Sequence, residues 1–128
     1  GWGLCPDDQA RLWMSNGSSK LVLRDPKNFR AIREVDVKNE QGQEVAYLNE
    51  LEWVEGRIYA NLWGTTKVAV IHPDTGLLEA YIDFAGLLSA SESAQADVLN
   101  GIAYDSKSKR MWVTGKLWPR LFEVRVSR

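Results

Sequence analysis

One cysteine and one histidine stand in 128 residues, and that scarcity excludes a good deal. A single thiol closes no internal disulfide, so the thiols carry no record of the redox compartment. Nor can a zinc site be built from several His and Cys ligands of this chain. No charge of one sign dominates: 16 Lys and Arg face 17 Asp and Glu, a formal net charge of -1. A nucleic-acid footprint or a polybasic membrane patch needs a basic excess, so neither nucleic acid nor membrane is an expected partner. No apolar run approaches the ~20 residues of a membrane span, and the first residues do not read as a secretory signal. Helical periodicity is nearly absent; only Gly86–Ala96 is expected to hold a short helical turn or a loop.

What the chain has instead is tryptophan, six residues of it, and short alternating runs rich in β-branched and aromatic residues. Turn residues bound these runs, among them Asn16-Gly17, Asp25-Pro26, Glu55-Gly56 and His72–Gly76. The reading is all-β. The runs also repeat. Arg11–Gly17 (RLWMSNG) matches Arg57–Trp63 (RIYANLW) and Arg110–Lys116 (RMWVTGK). Lys20–Pro26 (KLVLRDP) matches Lys67–Pro73 (KVAVIHP), with Arg120–Val124 as a third copy, and Leu48–Val54 (LNELEWV) matches Leu99–Asp105 (LNGIAYD). Four short strands per ~40 to 50 residues is the pattern of a β-propeller blade. About three blades are expected, over 1–46, 47–96 and 97–128, the last with only three strands. A closed ring needs at least about four blades, so the chain is expected to be the C-terminal part of a larger propeller, partnered by its N-terminal blades.

In such a ring, matching positions of successive blades converge at the channel mouth. Trp2, Asn49 and Asn100 share one position near the start of the inner strand, and Gly17, Trp63 and Lys116 share another after the second strand. Equivalent positions filled with such different residues mark a specialised site. Plainer readings stand beside this one. Asn49 and Asn100 can satisfy backbone groups at strand starts, and Lys116 can be an ordinary solvated lysine. Trp13, Tyr59 and Trp112 are expected between blades, and Trp53 and Tyr104 in the core. Trp63 and Trp118 break the repeat and fit core or site equally. Glu50 and Glu52 alternate with Asn49 and are expected to face away from it. His72 reads as a turn residue and Cys5 as inert.

The runs Tyr47–Trp53, Ile58–Trp63, Asp97–Asp105, Val113–Pro119 and Leu121–Val124, with the opening Gly1–Leu4, closely resemble the plant and bacterial type of glutaminyl cyclase, the glutaminyl-peptide cyclotransferases. The resemblance covers essentially the whole chain. It implies a five-bladed β-propeller that converts an N-terminal glutamine of a peptide or protein to pyroglutamate with loss of ammonia, acting in the periplasm or after secretion. Carried over by motif, Asn49 hydrogen-bonds the substrate, Lys116 sits at the reacting centre, and Trp2 and Trp63 wall the pocket. The glutamate that the family uses for proton transfer belongs to earlier blades, outside this chain.

Cyclisation brings an α-amine onto its own side-chain amide carbon, so the site must select a folded-back conformer and exclude water. Flat tryptophan faces suit a short aliphatic chain and its ammonium, and the Asn49 amide and Lys116 ammonium are expected donors to the oxyanion. No metal or other cofactor is required for this chemistry; a structural calcium held by carbonyl oxygens in the channel is compatible with it. The competing class is a non-catalytic propeller that binds peptide or carbohydrate in a tryptophan-lined channel.

Overall fold

The computed structural model describes residues 2–126, so that Gly1, Ser127 and Arg128, the outer limits of the first and third expected units, lie outside the described residues. Among the described residues, eleven strands form three antiparallel sheets, each a meander in chain order. The first contains β1 (Leu4–Pro6), β2 (Leu12–Ser15), β3 (Lys20–Arg24) and β4 (Ala31–Asp36). The second contains β5 (Leu48–Val54), β6 (Arg57–Leu62), β7 (Lys67–Ile71) and β8 (Leu78–Asp83). The third contains β9 (Leu99–Asp105), β10 (Arg110–Gly115) and β11 (Phe122–Val124).

The sheets stack through their first strands: β5 lies against β1 and β2 on one side and against β9 on the other. The middle sheet is therefore buried on both faces, and its period-two alternation sorts residues into two cores. Ile58, Ala60, Leu62, Ala69 and Ile71 face the first sheet, where they meet Trp13, Leu21 and Leu23. Tyr59, Val68 and Val70 face the third, where they meet Leu99, Ile102, Met111 and Val113. Each fully buried aliphatic side chain contributes ~1.5 to 3 kcal/mol, so these two seams hold the sheets together. Trp13 and Tyr59 are buried between sheets as expected, while the equivalent Trp112 is half-buried beneath the Arg110 guanidinium.

Two further devices join the sheets. The Trp53 indole Nε1–H donates to Asp8 Oδ1 at 2.9 Å, and the Tyr104 hydroxyl donates to Glu55 Oε1 at 3.0 Å. These aromatics, expected as core, are half-buried: each buries its ring and latches its polar tip to the hairpin turn of the preceding sheet. At the outer edge, Lys38 bridges the first two sheets, its N–H donating to Gly76 O at 3.1 Å and its carbonyl accepting from Leu78 N at 2.8 Å. The expected helical turn is α1 (Ala90–Ser93), started by a capping box between Ser89 and Glu92.

Candidate active site

Strand register decides which residues are equivalent. In the second sheet Trp53, Glu52 and Leu51 pair with Ile58, Tyr59 and Ala60, and the register then slips to Leu48 with Leu62. In the third, Tyr104, Ala103 and Ile102 pair with Met111, Trp112 and Val113, and the register slips at the same place to Leu99 with Gly115. In the first, Pro6, Cys5 and Leu4 pair with Leu12, Trp13 and Met14. Trp2, Asn49 and Asn100 thus occupy one position, and Ser15, Asn61 and Thr114 another. The shared bulge turns the strand entries out of the ladder and re-aims their side chains.

At the first position the two asparagines meet. Asn49 Nδ2–H donates to Asn100 Oδ1 at 3.0 Å, Asn49 being buried and Asn100 half-buried. Where the plainer reading had these side chains capping strand-start backbone groups, they bond each other. The Asn49 backbone is held separately. Ser15 Oγ accepts from Gly3 N at 2.8 Å and donates to Asn49 O at 2.6 Å. Gly3 is required there, because any Cβ at that position would collide with the Asn49 carbonyl. One sheet along, the equivalent Asn61 anchors the next strand entry in the same way, its Oδ1 accepting from Gly101 N at 3.1 Å.

The second position is presented by a repeated turn. Thr65 N donates to Leu62 O and Trp118 N to Gly115 O, both at 3.1 Å. Trp63 and Lys116 stand second in these turns, and the third residues, Gly64 (φ 84) and Leu117 (φ 59), are left-handed, as a type II turn demands. Each second residue is also tied to the strand entry, Trp63 N to Tyr47 O at 2.8 Å and Lys116 N to Val98 O at 2.9 Å. Trp63 is 48% exposed. Lys116 is exposed, and among the described residues no carboxylate lies within ion-pair reach of it. Trp118 is half-buried and belongs to the support. Its ring covers Gly115, its Nε1–H donates to Asp97 O at 2.8 Å, and it meets Phe122 edge-on at 6.0 Å.

Trp2 packs its ring on Gly17, where a Cβ would lie 2.5 Å from Cζ2, and stays 44% exposed. Gly17 N donates to Leu48 O at 3.2 Å, and Tyr47 N donates to Gly17 O at 3.0 Å. Two runs of contacts therefore lie at the strand entries, and each reaches two of the four expected site residues. One passes from Trp2 through Gly17 and Tyr47 to Trp63; the other joins Asn49 to Asn100, two residues after the Val98 whose carbonyl accepts from Lys116 N. The result is two exposed indole faces, one amide and one ammonium at the entry ends of β1, β5 and β9.

The neighbouring titratable groups are electrostatically distinct. Burial pushes the Glu50 and Glu52 carboxyls above the usual range, against the pull of backbone N–H donors. Glu52 Oε2 accepts from Tyr104 N on β9 at 3.1 Å, so both Glu52 and Asn49 reach the third sheet. Simple alternation put them on opposite faces; the bulge between Leu48 and Leu51 breaks that alternation. Cys5 is buried, and burial first, then the charges of Glu52, Glu50 and Asp7, push its thiol up to about 12. Such a thiol is inert, as expected. His72 Nδ1 accepts from Asp74 N at 3.1 Å inside its turn. Sequence reasoning passed over Ser15 and Asn61; their signal was a polar residue recurring with Thr114 at the end of an otherwise apolar strand.

A family model described as glutamine cyclotransferase matches residues 1–126. The glutaminyl-peptide cyclotransferase of Arabidopsis thaliana is 40% identical over 130 residues, which cover 98% of this chain and 40% of the plant protein. The crystal structure of Myxococcus xanthus glutaminyl cyclase superposes with a TM-score of 0.83 at 44% identity, covering 98% of this chain and 54% of that one. A streptogramin B lyase structure superposes with a TM-score of 0.51 at 13% identity over 99% of this chain and 41% of its own, a likeness of fold alone. The fold is all-β and propeller-like. The chain spans about half or less of the length of these relatives.

Proposed function

The chain belongs to the glutamine cyclotransferase family, and from that premise we propose that its site cyclises the N-terminal glutamine of peptides or proteins to pyroglutamate. The observation that carries this reading is the placement of Trp2, Asn49, Trp63 and Lys116 at the strand entries of the three sheets, where Trp63 N is tied to Tyr47 O, Lys116 N to Val98 O and Asn49 to Asn100. The three sheets are blades of one propeller whose remaining blades supply the rest of the pocket, including a carboxylate for proton transfer. The reaction takes place after export, in the periplasm or outside the cell.

The chemistry follows from the groups present. The substrate α-amine must bond to its own side-chain carbonyl carbon, and the bond from that carbon to the amide nitrogen must then break, releasing ammonia. The indoles of Trp2 and Trp63 offer flat walls against which a three-carbon side chain folds back, and their faces accept the α-ammonium before it loses its proton. As the carbonyl oxygen gains negative charge, the Lys116 ammonium, which no carboxylate among the described residues neutralises, stabilises it. Asn49 holds the substrate by its amide. The carboxylate from the other blades takes the proton from the amine and returns it to the leaving nitrogen. None of these steps uses a metal; a calcium in the channel would be structural.

The test is ammonia release from a Gln-initiated peptide by the intact protein. Release from that peptide, none from its Asn-initiated counterpart, and a loss of roughly 100-fold in Asn49→Ala are expected. A folded protein that binds the peptide without releasing ammonia would place the chain among binding propellers instead.

A further inference from the structure

We propose that Asn100 is a positioning residue for Asn49: its Oδ1 holds one Nδ2–H of Asn49 and so decides which edge of that amide a glutaminyl substrate meets. This rests on the cyclase reading above and assigns a role that the family resemblance did not give to Asn100.

A primary amide carries two N–H donors on one side and two acceptor lone pairs on the other, and rotation by half a turn exchanges them. A substrate glutamine offers both kinds of group, so a freely rotating Asn49 would receive it in two ways, of which one is productive. The 3.0 Å bond to Asn100 ties that choice to the orientation of the Asn100 amide, whose oxygen faces Asn49. It commits one N–H and leaves the second N–H and the whole of Oδ1 for the ligand. Asn49 is therefore an acceptor as much as a donor, which revises its expected part as an oxyanion donor: its free carbonyl suits the N–H groups of the α-amine or of the leaving amide.

The backbone beside Asn100 is anchored by β6. Gly101 N, one residue on, donates to Asn61 Oδ1 at 3.1 Å, and Asn61 is completely buried. Gly101 has φ 146, and a Cβ there would lie 3.1 Å from Thr114 Cγ2, so a side chain at that position would disturb the strand entry. Asn61 Nδ2 has no partner among the described residues. Two side chains 51 residues apart in sequence thus face each other from backbones that are each anchored independently, Asn49 by Ser15 and Asn100 through Asn61.

The experiment is a steady-state comparison of the intact protein with Asn100→Leu, Asn100→Asp and the same changes in an Asn49→Ala background. Leucine matches the size and removes the acceptor; aspartate keeps an acceptor oxygen. Asn100→Leu is expected to lower kcat about tenfold, the worth of one well-placed hydrogen bond, with KM nearly unchanged. Asn100→Asp should recover most of that loss. In the Asn49→Ala background Asn100→Leu should cost nothing further, a result that a merely structural role would not produce. If Asn100→Leu melts below the assay temperature, Asn100→Ala is read by the same criteria. An active wild type with full kcat in Asn100→Leu, or equal losses with and without Asn49, overturns the positioning role alone. A wild type that releases no ammonia overturns the cyclase reading and this role with it.

Discussion

The turn that presents Trp63 and the turn that presents Lys116 are one design with two fillings. Both are closed by the same 3.1 Å bond and tied to the strand entry through the second residue. Around the ring of Trp63 the supports are minimal: Gly64 takes the left-handed position freely, and the Thr65 hydroxyl donates to Leu62 O at 2.9 Å. Around the ammonium of Lys116 they are heavier. Leu117 accepts a left-handed φ that suits it poorly, and Trp118 clamps the turn onto Asp97 and Phe122. The difference follows from the side chains presented. An indole is rigid and has two torsions to settle, whereas a lysine swings on a four-carbon stem, so its base must be the stiffer of the two.

Exchanging or removing these fillings and supports tests that comparison. The largest effect should come from the fillings: Lys116→Ala is expected to lower kcat by 100-fold or more, and Trp63→Ala to act more on KM, in ammonia-release kinetics with the fold checked by circular dichroism. Next come the clamps. Trp118→Ala should cost about 2 kcal/mol in denaturant unfolding and reduce kcat, while Thr65→Ala in the lighter turn should cost under about 1 kcal/mol. Smaller still is the left-handed residue: Leu117→Gly should stabilise by up to about 1 kcal/mol and Gly64→Ala destabilise by a similar amount. The Cβ of Gly64→Ala enters open space, so the change reads backbone strain alone.

The smallest effect separates the strands that enter these turns. β5 carries Glu50 and Glu52 where β9 carries Gly101 and Ala103. Burial raises the Glu52 carboxyl in the folded state, so the native protein keeps that proton to higher pH than the unfolded chain does. Stability from this group is then greatest below the unfolded value and falls as pH rises through the folded one. Glu52→Gln should remove that slope. Its melting temperature relative to wild type should climb from pH 4 to pH 7, and a constant difference would show that Glu52 titrates as it does in the unfolded chain.

Most of the architecture could be read from residue order. Val, Ile, Leu and aromatic alternation marks β2, β3, β6, β7 and β10, because a strand buried on one or both faces must show it. β1 is only three residues long and carries too little pattern to be seen alone; the repeat located its neighbourhood. The candidate site positions stand out for the same reason, since a repeat makes an odd residue conspicuous. What it could not give was orientation. Whether Asn49 turns to backbone or to Asn100 depends on how two sheets pack and on a bulge that reverses the alternation. Trp118 has Thr65 as its counterpart, so the repeat offered no precedent for a clamp. Trp53 and Tyr104 were legible as buried rings, but their polar tips answer to acids 45 and 49 residues away.

Those two latches set an order of events for self-assembly. Every pairing inside a sheet joins neighbours along the chain, so each meander closes short loops and forms early. A latch can close only when a finished hairpin turn, bearing Asp8 or Glu55, waits for the aromatic of the following sheet. Docking is thus the late step, and it proceeds sheet upon sheet with each newcomer checked against the one before it. Weakening a latch should leave the sheets forming at their own pace and slow only their joining.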